Sequence, residues 1–243
     1  MKNLTQESTT IELRKARPCL AILPIGATEQ HSHHLPLATD SLVAEAVARG
    51  AAARLGAWCM PALPYSISHM HRGTMGTAWL RNETLVRVIH DLAASVRHEG
   101  FRQFAMVNFH GGNQILPAVV QDLNLDFSDL DTVAVFSPWQ AAADLFKSSD
   151  QLQHANEFEV SCLLHLAPHL VRRKEIRDQK QVFEAEALRY APFPCLSRLT
   201  HTGTPSLGTA AKGKKAIELM VEHAARSIRE SLRLAQRLRH GTR

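Results

Sequence analysis

Apolar positions in this chain gather into two alternating kinds of run. Short unbroken runs, Cys19-Leu-Ala-Ile-Leu-Pro-Ile-Gly26, Trp58-Cys-Met-Pro-Ala-Leu63, Phe104-Ala-Met-Val-Asn-Phe109 and Thr132-Val-Ala-Val-Phe136, have the length and composition of strands buried on both faces. Between and after them the apolar spacing turns helical. Thr39-Asp-Ser41 can cap a helix that carries Leu42 through Leu55 and stops at Gly56. Asn82 opens another, with Leu85, Val88, Ile89, Leu92 and Val96 on one side, ending near Gly100. Further helices are expected from Asn113 to Asn124, from residue 156 to the stop at Pro168, from residue 209, and over the C-terminal segment Ser227 to His240. Such alternation predicts an α/β fold of three layers, a mainly parallel sheet with helices on both faces. Ligands should collect at the carboxyl ends of its strands. No repeat, low-complexity stretch or linker divides the 243 residues, so a single domain over 1–243 is expected.

Two of the strand-like runs end in chemistry. The first breaks at Gly26 and leads into Glu29-Gln-His31-Ser-His33-His34-Leu-Pro-Leu-Ala-Thr-Asp40. Glu29, His31 and Asp40 supply one imidazole and two carboxylates, the mixture that suits zinc, manganese or iron and lacks the thiolates of a soft-metal site. The second run delivers His110, followed by Gly111, Gly112 and Asn113, where two glycines permit a sharp turn or close approach to a bound group. A third candidate cluster, His154-Ala-Asn-Glu157-Phe-Glu159, opens a helix. An acidic residue there is also what the helix dipole favours in a first turn.

Composition narrows the function. The formal charge is +5, much of it from arginines interleaved with leucines in the C-terminal helix, which is the pattern of a solvated helix face. Aromatics are only 6 per cent, and no zinc finger, helix-turn-helix or RNA-binding aromatic motif appears, so nucleic acid is not the expected partner. The four cysteines are scattered without a CxxC pair, as expected of thiols in a reducing cytoplasm. The N-terminal residues lack the apolar core of a secretion signal, and no stretch reaches the roughly 18 apolar residues of a membrane span.

The blocks Pro24-Ile-Gly-Ala-Thr-Glu29-Gln-His31, Leu35-Pro-Leu-Ala-Thr-Asp40, Asn108-Phe-His110-Gly-Gly-Asn113 and His154-Ala-Asn-Glu157-Phe-Glu159 resemble the signatures of the creatininase family of metal-dependent amidohydrolases. Tyr65-Ser-Ile-Ser68-His-Met-His71 with Gly76-Thr77 is similar to its substrate-side loop, and Gly203-Thr-Pro205 with Ala210-Ala-Lys212-Gly213 to the approach to its last helix. The resemblance spans about residues 18 to 235. It implies the three-layer α/β/α fold, a homo-oligomer that is often a hexamer, and two divalent ions, zinc, manganese or iron, bridged by a carboxylate. Carried onto this sequence, Glu29, Asp40 and His110 would hold one ion, and His31 with bridging Asp40 the other. Creatininase itself takes a further carboxylate from the position where Gly112 stands here. The resemblance moves that duty to Glu157, with Glu159 as the runner-up, because two residues apart on a helix they face different ways.

The same resemblance implies hydrolysis of a non-peptide carbon–nitrogen bond, an amide or cyclic amide of a small polar molecule. His154 would protonate the leaving nitrogen, or else serve as a partner that orients Glu157 or Glu159. Ser68, His71, Gly111 and Gly112 would face the substrate. A deformylase or cyclic-sugar hydrolase of the family, or a non-catalytic metal-binding subunit, are the alternatives. Departures from the family pattern alter the pocket edge. Ser32-His33 replaces Gly-Pro, Ala38 replaces a glycine, Thr74-Met75 replaces Phe-Pro, and Gln151-Leu-Gln153 stands where true creatininases carry Trp-Asp, so creatinine is not the expected substrate. His33, His34, His69 and His71 are imidazoles near the site that could serve it, or could be ordinary surface or core histidines.

Overall fold

The structure, a computed structural model, describes residues 3–146, 154–179 and 183–241. Within them, four parallel strands, β1 (Leu20–Ile25), β2 (Trp58–Cys59), β3 (Gln103–Asn108) and β4 (Asp131–Val135), pair in the order β2-β1-β3-β4. The central pair runs in register from Leu20 opposite Gln103 to Ile25 opposite Asn108. All six β1 residues are buried, because alternate side chains serve two separate cores. Leu20 and Ile22 of β1, with Ala105 and Val107 of β3, pack under α2 (Thr39–Leu55), α5 (Glu157–Leu166) and α7 (Ala210–Gly241). Ala21, Leu23 and Ile25, with Phe104 and Met106, pack under α3 (Asn82–His98) and α4 (Leu116–Asp126). This is the three-layer α/β arrangement expected.

That split of the helices places the site. The helix after β1 covers one face and the helix after β3 covers the other, so the chain diverges where the two strands end side by side. A crevice opens there, as it does wherever neighbouring parallel strands send their connections to opposite faces.

Element boundaries moved where local chemistry overruled the apolar pattern. The strand expected over Trp58–Leu63 shrinks to Trp58–Cys59, since Pro61 and Pro64 carry no N–H for a ladder. Leu63 still donates to the Pro24 carbonyl, holding the following loop against β1. The cap expected of Thr39-Asp-Ser41 is absent: Ala38 is the N-cap, and the Thr39 hydroxyl donates to the Pro36 carbonyl instead. Helix α4 starts at Leu116, not Asn113, and the two C-terminal helical segments are one helix, α7. Helix α1 (Thr10–Ala16) was not anticipated because it buries no residue, although Thr9 and Glu12 close a capping box at its start. The short helix α6 (Phe193–Leu196) was likewise unforeseen. Gln151 to Gln153 lie outside the described residues. Among the described residues, no helix is long and apolar enough to cross a membrane.

Candidate metal centre

The two strand ends and two helix starts bring Glu29, His31, Asp40, His110, His154 and Glu159 into one buried cluster. Each of the first two imidazoles is oriented by the main chain. His110 donates from Nε2 to the Ile67 carbonyl at 2.8 Å, and His31 donates from Nδ1 to the Glu29 carbonyl at 3.2 Å. Their other nitrogens turn on carboxylates. His110 Nδ1 lies 3.0 Å from Asp40 Oδ2 and 3.3 Å from Glu29 Oε2, while His31 Nε2 lies 3.2 Å from Asp40 Oδ1 and 3.6 Å from Glu159 Oε1. Asp40 is therefore shared, one oxygen to each side. A ring pinned by one nitrogen to a main-chain carbonyl, with the other facing carboxylates, is how metal-ligating histidines are held.

Two buried atoms test the fit of a cation. Among the described residues, His31 Nε2, between Asp40 and Glu159, and Glu29 Oε2, beside His110, have no hydrogen-bond partner, the kind of buried orphan that a bound cation satisfies. The donor set, nitrogen and oxygen only, suits zinc, manganese or iron. The electrostatics agree. Burial alone would push Asp40 and Glu29 up, yet His31 and His110 hold Asp40 well below the usual carboxylate range, and His110 and His71 lower Glu29. Burial works against protonated His31 and His110, but Asp40 and Glu159 beside the first, and Glu29 and Asp40 beside the second, raise both well above the ordinary imidazole value. Burial raises Glu159 and, with the nearby His71, His31 and His110, keeps His154 well below that value.

Glu157 does not join the cluster, which corrects the expectation that it fills the vacant carboxylate position. It begins α5, and its carboxylate turns away to Lys212 of α7. The Glu159 carboxylate instead accepts from the Ala155 N–H and reaches His31. Two residues correspond to about 200° around a helix, so only one of the pair can face the strand ends. Gly112 explains why a carboxylate must come from α5 at all: a Cβ there would lie 2.2 Å from the Ile67 carbonyl and 2.4 Å from His110 Nε2.

The other anticipated residues divide. His71 stands in the cluster, 3.3 Å from Glu29 Oε1 through Nε2, and burial pushes it down to about 4. His71, Gly111 and Gly112 line a cleft of about 720 Å³ that opens over the cluster. Ser68 does not line it. Its hydroxyl sits 3.3 Å from His110 Nε2, on the ring edge away from Asp40, where it supports His110. His34 is buried and donates to the Ala155 carbonyl, His69 is exposed at the cleft, and His33 is exposed. His154 contacts Gln30 and Glu29, not Glu157 or Glu159.

Sequence reasoning passed over three supporting residues. Asn108 donates to the His110 and Phe136 carbonyls and accepts from Asn113, whose oxygen takes the Ile67 N–H, so the two amides set the turn that carries His110. Gln30 is buried between Glu29 and His31 and touches both His71 and His154. Its only signal was a buried-strand terminus on which three polar residues follow one another. Ser32 and Ala155, next to that glutamine's loop and to His154, adopt φ of 57° and 49°. Non-glycine residues in this conformation cluster at functional sites.

The sequence matches the creatininase family, described as creatinine amidohydrolase, over residues 6–228. It is 31% identical over 235 residues to the mycofactocin precursor peptide peptidase of Mycobacterium tuberculosis (strain ATCC 25618 / H37Rv), covering 91% of this chain and 88% of that protein. It is 27% identical over 243 residues to creatinine amidohydrolase of Pseudomonas putida, covering 90% of each. Its fold superposes on the solved structure described as creatininase Mn with a TM-score of 0.82 at 24% identity, covering 95% of this chain and 99% of that one. A mutant creatininase of Zn–Zn type superposes with a TM-score of 0.82 at 24% identity, covering 96% and 99%.

Proposed function

Because the chain belongs to the creatininase family, we propose that it is a metal-dependent hydrolase that breaks a carbon–nitrogen bond with water. Glu29, Asp40 and His110 would hold one divalent ion, and His31, Asp40 and Glu159 a second. The observation that carries this reading is the shared carboxylate of Asp40, with Oδ1 beside His31 and Oδ2 beside His110, and one further buried carboxylate on each side. Divalent ions bound there supply Lewis acidity toward the substrate carbonyl and lower the pKa of water toward neutrality.

The chain's own part is proton traffic and exclusion of solvent. His154 approaches the cluster through Nδ1, 3.7 Å from Glu29 Oε1, and its ring packs between those of His31, His71 and Phe193. As the carbon–oxygen bond forms, the proton of the attacking water passes to His154. As the carbon–nitrogen bond breaks, His154 gives that proton to the leaving nitrogen. The ring thus acts as base before it acts as the acid expected from the sequence.

The substrate reading starts from the family's amides and cyclic amides. The cleft adds a constraint, for Phe109, Trp139, Phe158 and Phe193 line it beside the polar cluster. A substrate that carries an apolar group next to the scissile bond fits this wall better than a small, wholly polar ring. A peptide bond is the second reading, favoured by the cleft's 720 Å³. Assembly as a homo-oligomer and work in a reducing cytoplasm, where the four free thiols would persist, belong to the same proposal. The test is to load the purified protein with zinc, manganese or iron, count ions per chain, and screen cyclic amides, formamides, ureas and short peptides. Fewer than one ion per chain with every metal, or full turnover in chelator, would overturn it.

A further inference from the structure

We infer that Gln30 is a positioning residue that sets which nitrogen carries the proton in both His71 and His154, so that His154 turns a bare Nδ1 toward the cluster. The argument is a count of donors and acceptors. The Ser32 N–H lies 2.8 Å from Gln30 Oε1, and an N–H can only donate, so the amide oxygen is at that end. At the other end Gln30 Nε2 lies 2.9 Å from the Thr200 carbonyl, which can only accept. Both ends agree on the orientation of the amide.

The Nε2 group has two hydrogens and three close neighbours: Thr200 O, His71 Nδ1 at 2.8 Å and His154 Nε2 at 2.9 Å. Thr200 takes one hydrogen, so the two rings compete for the other. The Gln30 main-chain carbonyl settles the competition, because it also lies 2.9 Å from His154 Nε2. A bare ring nitrogen there would face the lone pairs of that carbonyl oxygen. His154 therefore carries its proton on Nε2 and donates it to the Gln30 carbonyl. The second amide hydrogen then goes to His71 Nδ1. This leaves the His71 proton on Nε2, where it meets Glu29 Oε1 at 3.3 Å. The reverse assignment places an acceptor against an acceptor at Gln30 O and starves His71 Nδ1. The assignment leaves one close pair unbonded, the His154 Nε2–H beside the Gln30 amide nitrogen at 2.9 Å, where the reverse leaves two, so one glutamine, through its main chain and its side chain, orders both imidazoles.

The consequence for catalysis rests on the hydrolase reading above. A His154 with bare Nδ1 facing the cluster can take a proton from water, whereas the other tautomer offers a hydrogen to a site that needs a base. His71, held with its proton on Nε2, in turn steadies Glu29. Gln30 reaches no reacting atom itself.

The experiment is nitrogen-15 NMR of histidine-labelled, zinc-loaded protein, in which Nδ1 and Nε2 shifts report the tautomer of each ring, with assignment by His71→Asn and His154→Asn. The expected result is Nε2–H for both rings in the unaltered protein. Gln30→Glu changes one NH₂ to oxygen, removes both donated hydrogens, and should move the His71 proton to Nδ1. Turnover should fall by about 10- to 100-fold, the range for partners that orient ligands, with KM within about threefold. An Nδ1–H tautomer at His154 in the unaltered protein overturns the inference, and needs no variant to fold. An unmoved His71 in Gln30→Glu overturns it as well. The expected tautomers without turnover of any amide would sink the hydrolase reading and leave the Gln30 assignment standing.

Discussion

Glu157 and Glu159 lie two residues apart, and exchanging their roles would undo the site described above, so a paired substitution is the sharpest check. Lys212→Met strips the cation from Glu157, whose side chain is 0% exposed, while Lys212 itself is 31% exposed. Losing one charge-assisted hydrogen bond to a buried carboxylate costs about 1.5–3 kcal/mol. A chain of 243 residues unfolds with roughly 0.5 kcal/mol per degree of entropy, so the melting temperature should fall by about 3–6 °C. Glu157→Gln is milder. The remaining partner is then Lys212, which can turn to water, and the loss should be nearer about 1 kcal/mol. Neither change touches His31 or Asp40, so ion content should stay at the unaltered value. Glu159→Gln should do the reverse, weakening retention of an ion on the His31 side by more than about 100-fold, beyond the range for residues that merely orient ligands, with a small effect on folding of the apo protein. Calorimetry together with elemental analysis after dialysis against graded chelator reads both quantities. If Glu157→Gln emptied the site while Glu159→Gln kept it full, the assignment of the carboxylate to Glu159 would be refuted.

Three further outcomes follow from particular contacts. Asp40→Ala should abolish retention of both ions, because its two oxygens serve different histidines, whereas His110→Ala should mainly empty the Glu29 side; two ions retained in Asp40→Ala would rule out the shared role. Gly213→Ala should lower the melting temperature by several degrees, since a Cβ there would stand 1.8 Å from the Ser161 carbonyl and α5 and α7 must part, at about 1–3 kcal/mol or more; an unchanged melt would show that the two helices are not in that contact. His34 is pushed by burial from about 6.5 down to about 4, so the unfolded chain takes up its proton before the folded one does. Its contribution to stability is therefore complete above about pH 6.5 and lost as the pH falls toward 4, and His34→Gln should flatten that part of the pH–melting curve. Parallel curves for the two proteins would contradict it.

What could be read along the chain was whatever depends on neighbours in sequence. Runs such as Ala21 to Ile25 and Phe104 to Val107 are apolar at every position, which only a strand covered on both faces tolerates, and so the parallel sheet was legible before any coordinate. Glu29, His31, Asp40 and His110 were legible too, because each lies within a few residues of such a strand's end or opens the helix after it. Helix α1 was not, since the periodicity argument sees only helices that bury a face. The choice between Glu157 and Glu159 lay beyond sequence for a different reason. Both sit in the same first turn with the same chemistry, and what separates them is that Lys212, 55 residues away, waits on one side of α5 while His31 and Asp40 wait on the other. Gln30 is the same lesson at finer grain. A glutamine between two ligands says little until Ser32, Thr200, His71 and His154 close around it, and only that convergence, made by packing elements remote in sequence, turns a side-chain amide into a device for placing protons.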